Sequence, residues 1–169
     1  GAGGLLLTQG YRMERITVWL DPAASEKGHQ TIQGLYAIGS GGLFGKGLGQ
    51  SMQKLGFLPE ANNDMIFSVI CEELGLFGAL CVLALFFALI WRFMVIAVNA
   101  PDLYGSMIVV GVIAHIGIQV FINIAVATNT IPNTGIPLPF ISYGGSSLVF
   151  MLLEMGLVLS VSRYINVKK

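Results

Sequence analysis

The chain has 169 residues, with nine basic and nine acidic side chains and so no formal net charge at pH 7. That balance gives no electrostatic case for nucleic-acid binding, and no nucleic acid is expected as a partner. Hydrophobic residues make up 54% and charged residues only 11%, against about 25% charged in an average soluble domain. No Asp, Glu, Lys or Arg occurs between Asp102 and Glu154. A soluble domain would have to expose apolar surface there, so the expected fold class is an all-α polytopic membrane protein, a helical bundle interrupted by large loops.

In chain order, GAGGLLL at residues 1–7 reads as the end of an apolar helix ending near residue 10. The chain starts on Gly1 without a secretory signal pattern, so further sequence upstream is expected. Residues 11–64 are mixed and Gly-rich, and read as a loop carrying Arg12, Arg15, Lys27, Lys46 and Lys54 with five acids. A first span is expected over 65–92, because Leu74 to Trp91 carries no charge and would be ~27 Å long as a helix, close to the ~30 Å hydrocarbon core. Asn99, Pro101 and Asp102 mark a turn. A second span covers 103–128. Residues 129–145 hold Pro132, Pro137 and Pro139 with Gly135, Gly144 and Gly145, which rules out a regular helix. Irregular backbone at membrane depth must be covered by protein or face water. A third span covers 146–164, followed by a basic tail. The Lys and Arg count falls on both sides of these spans and does not orient them. Cys71 and Cys81 lie in one apolar run and read as small packing residues.

Polar side chains inside spans are costly, so their spacing is informative. Asp64, Ser68 and Glu72 recur every fourth residue and share one helix face, continued by Gly75 and Ala79. Glu73 lies on another face. His115, Gln119 and Asn123 repeat the pattern on the second span. Ser68, Glu72, His115 and Gln119 are read as structural polar groups linking helices. Glu154 is a lone carboxyl, with His115 one candidate partner and a group elsewhere in the protein another.

Several motifs fail. The run Gly39–Gly49 is not a phosphate loop, because Ser40 and Gly47 stand where a Walker sequence needs Gly and Ser/Thr, and its GxGxxG spacing is broken. No Cys/His set has zinc spacing. The residues alone therefore support a helical membrane protein with a carboxylate closing a glycine-rich loop. On that basis an enzyme and a transporter are equally served.

Two longer segments go further. LGFLPEANNDMIFSVICEELGLFG (Leu55 to Gly78) and TGIPLPFISYGGSS (Thr134 to Ser147) resemble the signatures of the SEDS family (FtsW, RodA and SpoVE proteins) of peptidoglycan glycosyltransferases. Gln33 to Gly56 and Tyr11 to Pro22 follow that family's loop order, so the resemblance runs through essentially the whole chain. The GLGQS-x-QK element is more like the division branch than the elongation branch. Asn62, Asn63 and Met65 depart from the common His-Thr and Phe, which puts contacts around Asp64 in doubt.

The resemblance implies a multi-pass protein of the bacterial inner membrane, with the 11–64 and 129–145 loops and the active site outside the cell. It implies polymerisation of lipid II, the undecaprenyl-diphosphate-linked disaccharide peptide. Asp64 would be the catalytic base, taking the proton of the acceptor 4-hydroxyl while the anomeric centre inverts and the lipid diphosphate leaves. Lys46 and Lys54, with Arg12, Arg15 or a divalent cation (Mg or Mn), would face the leaving diphosphate. No cofactor is otherwise expected. Glu60, Asn123, Ser142, Tyr143, Gly144, Gly145 and Ser146 would shape the substrate cavity. The implied partners are a class B penicillin-binding transpeptidase and other divisome or elongation membrane proteins. A lipid-precursor flippase and a non-catalytic scaffold for the transpeptidase are the alternatives.

Overall fold

The computed structural model describes residues 16–22, 28–51 and 64–165. Among these, all regular structure is helical: α1 (His29–Gly41), α2 (Ile66–Val98), α3 (Leu103–Ala127) and α4 (Gly145–Arg163), with a further helical turn at residues 16–20. The last three are long and apolar enough to cross a membrane. They run down, up and down. The end carrying Asp64, residues 128–144 and the start of α4 lies opposite the end carrying the 99–102 turn and Tyr164.

Two differences from the sequence expectation matter. The 11–64 stretch, read as a loop, contains the 13-residue helix α1. Its sequence HQTIQGLYAIGSG places Thr31, Gly34, Ala37 and Gly41 on one buried stripe. These small residues allow close contact with a neighbouring helix, which compensates for the weak helix propensity of glycine. Helix α2 also runs past the expected end at Arg92 to Val98. Nothing in Phe93–Val98 breaks a helix, and Arg92 is exposed, where its long stem can carry the charge toward an interface. The helix ends at Asn99, two residues before Pro101. Asp102 then starts α3, its Oδ2 accepting from the Gly105 amide at 3.0 Å. Ser106 Oγ closes the turn by donating to the Ala97 carbonyl at 2.8 Å.

Helices α2 and α3 pack through Phe86, Phe93 and Ala97 against Val109, Val112, Ile116 and Val120, and Met151 and Val158 of α4 join the same cluster. In lipid this packing gains dispersion and fit rather than the transfer free energy of leaving water.

The feature that organises the site is a break in α2. Gly75 has φ 67° and ψ −165° and interrupts the helix. The hairpin after α1 fills the gap with main-chain hydrogen bonds. The Lys46 and Gly47 amides donate to the Glu72 and Glu73 carbonyls, each at 2.9 Å, while the Leu76 and Phe77 amides donate to the Gly42 and Leu43 carbonyls at 3.0 and 3.2 Å. Such approach is possible only without side chains. A Cβ on Gly75 would lie 2.3 Å from the Gly45 nitrogen, and one on Gly45 would lie 2.2 Å from the Glu73 carbonyl oxygen. Because contacts run from Gly34 at Ser68 to Gly41 at Cys71, α1 lies parallel to the first part of α2 and delivers the hairpin to the break.

Gly75→Ala is therefore expected to destabilise the full-length protein by more than the ~1–3 kcal/mol of backbone strain alone, because the contact with Gly45 is also lost. Gly39→Ala, on α1 with open space around it, is expected to be neutral or stabilising by about 0.5–1 kcal/mol. Thermal unfolding of the two variants in detergent checks the contrast, and equal melting temperatures would rule out the sealed break.

Candidate functional site

Asp64 stands in the turn before α2, one residue ahead of its N-cap Met65, where the helix dipole favours a carboxylate. It is 8% exposed. Gln30 Nε2 of α1 reaches Oδ1 at 3.5 Å, at the outer limit of a hydrogen bond. The main chain of Asp64 is held from the opposite side. Asn123 Nδ2 on α3 donates to the Asp64 carbonyl and to the Ile136 carbonyl, both at 2.8 Å. One side chain thus ties the aspartate turn to the proline-rich segment before α4. Asn123 is 0% exposed, so it positions main chain; as the chain stands it offers no surface to a substrate.

Below Asp64 on the same face, Ser68 and Glu72 are both 0% exposed, and Gly34 of α1 packs against Ser68. Ser68 Oγ has no hydrogen-bond partner among the described residues. Glu72 is the hub of the hairpin. Its Oε1 pairs with Lys46 Nζ at 2.7 Å, with Ser40 Oγ at 3.5 Å, and its Oε2 accepts from Ser51 Oγ at 2.6 Å. A carboxylate taken out of water needs this kind of pairing and hydrogen bonding. Lys46, expected to face a diphosphate, is thus engaged with Glu72, although its side chain remains 35% exposed. The neighbouring Glu73 keeps Oε1 buried and without a partner among the described residues.

The second loop is locked by its own turns. Asn129 and Phe140 adopt positive φ, and Ser142 bridges both ways: its Oγ accepts from the Leu138 amide at 2.7 Å and its amide donates to the Leu138 carbonyl at 3.0 Å. Trp19 Nε1 donates to the Asn129 carbonyl at 2.9 Å, joining the 16–20 turn to this loop. Tyr143 is 83% exposed, and Gly145 and Ser146 are exposed beside it. Gly144 begins the cap of α4. A Cβ on Gly145 would meet nothing within 4 Å. The tight backbone approaches are made by Gly28, Gly41, Gly45 and Gly75.

The stripe His115, Gln119, Asn123 does not form one network. His115 Nδ1 meets Glu154 Oε1 at 2.8 Å, linking α3 to α4, which answers where the lone carboxyl of α4 goes. Gln119 Oε1 and Glu154 Oε2 are buried without partners among the described residues. Lys54, Glu60, Arg12 and Arg15 lie outside the described residues. Among the described residues, no group of three or more His, Cys, Asp or Glu could hold a metal ion.

The roles of Gln30, Ser40 and Ser51 were missed from sequence. They act across 21 to 34 residues of separation, a range that helical spacing does not reach. The small-residue stripe of α1 was the available signal.

Residues 3–167 match a family model described as "Cell cycle protein", the FtsW/RodA/SpoVE family. The chain is similar to the stage V sporulation protein E of Bacillus subtilis, with 56% identity over 97% of this chain and 45% of that protein. It is also similar to the probable peptidoglycan glycosyltransferase FtsW of Coxiella burnetii, with 45% identity over 95% of this chain and 45% of that one. Identity to the sporulation protein exceeds that to this FtsW, so the branch resemblance of GLGQS-x-QK does not assign a branch. Among solved structures, a chain from work on the structural coordination of polymerization and crosslinking by a peptidoglycan synthase complex matches with TM-score 0.72 and 32% identity, covering 94% of this chain and 43% of its own. The rod shape determining protein RodA of Thermus thermophilus matches with TM-score 0.59 and 38% identity, covering 78% and 39%. The chain spans less than half the length of each of these relatives.

Two substitutions test the assembly. Lys46→Met strands a buried carboxylate. Breaking such a pair costs about 3–5 kcal/mol when fully buried, and the partial exposure of Lys46 places the expected loss at or below the low end. The double variant Lys46→Met with Glu72→Met is expected to recover part of it, and a double-mutant cycle on thermal stability reads the coupling. Asn123→Ala removes the donor from two carbonyls at about 1–3 kcal/mol each. It is expected to speed proteolysis of the 129–144 segment, and an unchanged cleavage rate would count against the tie.

Proposed function

Because the chain belongs to the FtsW/RodA/SpoVE family, we propose that it forms part of a peptidoglycan glycosyltransferase that polymerises lipid II. Asp64 is the general base of an inverting transfer. Its carboxylate accepts the proton of the acceptor sugar's 4-hydroxyl as that oxygen bonds to the donor's anomeric carbon. The bond from that carbon to the diphosphate oxygen breaks, and undecaprenyl diphosphate leaves with the electron pair. General-base assistance of this kind typically supplies ~10²–10⁴-fold.

The observation that carries the reading is the way Asp64 is presented. Its turn is fixed by main-chain contact with Asn123, at the outer end of a helix whose lower part is apolar enough to cross a membrane. A base needs a fixed position more than flexibility. Gln30 of α1 lies over the carboxylate, and with 8% of the residue exposed, movement of α1 away from Asp64 is part of substrate entry in this reading. Lys46 is half of an ion pair, so it serves the leaving diphosphate only from its exposed edge. Tyr143 and Ser146, exposed at the start of α4, remain candidates for substrate contact. The active site faces the outside of the cell in this reading. The peptidoglycan synthase neighbour, named for polymerization and crosslinking, supports a crosslinking transpeptidase as partner. A septal or sporulation setting both fit the relatives.

Asp64→Asn in the full-length protein is expected to abolish polymer formation from purified lipid II in detergent while membrane levels stay normal. A flippase reading predicts no polymer from either protein in this assay. A scaffold reading predicts that the substitution is silent in cells. Retained polymerisation by the variant would falsify the general-base assignment.

A further inference from the structure

In the hairpin that seals the α2 break, two polar side chains reach a buried carboxylate while the large apolar ones face outward. Lys46 and Ser51 reach Glu72, whereas Leu43, Phe44 and Leu48 are 58%, 79% and 76% exposed. Three large apolar side chains on the tip of one short turn form a patch that water does not favour, and such patches mark an interaction surface.

The position of the tip identifies what covers it. Helix α2 has 33 residues, which would extend ~50 Å, well beyond a ~30 Å hydrocarbon core. The break divides it. Ile66–Leu74 carries Ser68, Glu72 and Glu73 and is flanked by α1. Leu76–Val98 is roughly 35 Å long at ~1.5 Å per residue, enough to span alone, and its first charge is Arg92. The membrane boundary on the Asp64 side therefore falls near Gly75, the level of the hairpin tip. Phe44 stacks on Phe77, the second residue of the spanning part, with ring centroids 5.2 Å apart. Leu76 and Phe77 are themselves 51% and 55% exposed, so the tip continues the apolar surface of the span without a polar gap.

We propose that the hairpin tip is a lipid wedge: Leu43, Phe44 and Leu48 insert between the headgroups and upper acyl chains of the leaflet on the Asp64 side. Buried apolar side chains at that depth anchor a peripheral element to a bilayer. Lys46 lies between them in sequence but keeps its ammonium on Glu72, so no unpaired charge enters the lipid. This inference concerns the lipid contact and holds whether or not Asp64 is a base.

The test places p-benzoylphenylalanine at position 44, and separately at position 48, in the full-length protein. Position 29, exposed at the Asp64 end of α1, is the comparison. Each protein is reconstituted in nanodiscs of phosphatidylethanolamine and phosphatidylglycerol and irradiated, and its intact mass is read. The expected result is a gain of one phospholipid mass at 44 and 48 and none at 29. Crosslinks within the protein at 44, or no lipid adduct there, would show that the tip packs on protein and overturn the proposal. Lipid adducts at all three positions would overturn it too, because the contact would not be confined to the tip. Position 44 tolerates the probe because it is 79% exposed and the replacement is aromatic.

Discussion

A helix interrupted where protein covers it leaves amides and carbonyls that must find partners in the protein, and the other features of the site follow from how this chain satisfies them. The break at Gly75 exposes the carbonyls of Glu72 and Glu73 on one side and the amides of Leu76 and Phe77 on the other. All four are met by main chain of residues 42–47. Main-chain partners at 2.9 to 3.2 Å demand that two backbones meet with nothing between them. That is why glycines sit at Gly41, Gly45 and Gly75, where a Cβ would collide with backbone atoms.

Sealing the break fixes the hairpin, and the hairpin fixes the carboxylates. Lys46 donates through its amide to Glu72's carbonyl and through its ammonium to Glu72's carboxylate, so one residue satisfies both the open backbone and the buried charge. Helix α1 is thereby held parallel to the outer part of α2, with Gln30 near Asp64. From the other side Asn123 reaches the Asp64 and Ile136 carbonyls. Asp64 is thus gripped by its main chain and by the elements around it. The grip depends on a few backbone contacts more than on the polar side chains of either loop.

The spans were legible in the sequence because an uncharged apolar run of that length is hard to accommodate anywhere but in a bilayer. The spacing also placed Ser68 and Glu72 on one buried face, and left His115 as one candidate partner for Glu154, the pairing found. It did not reveal the break in α2. Gly75 sits in a run of Leu, Phe and Ala whose hydropathy is that of a continuous helix, and the partner that makes the break tolerable, the hairpin around Gly45, is distant in sequence. Helix α1 was hidden for a related reason: its stripe of Thr31, Gly34, Ala37 and Gly41 has little hydrophobicity to register, because it is selected for closeness. The charge of Lys46 was visible in the sequence, but its ion pair with Glu72 was not.

The glycines of the two loops meet different surroundings. Gly144 and Gly145 precede a helix, and Gly145 has open space around it while Gly144 approaches only Ser147. At Gly41, Gly45 and Gly75 the neighbour is the protein's own backbone. Close backbone approach can serve a ligand or a helix break, and the two differ in what a Cβ would strike. Here it strikes carbonyl oxygens and amide nitrogens of α2, so the close approaches of the glycine-rich hairpin serve the helix break.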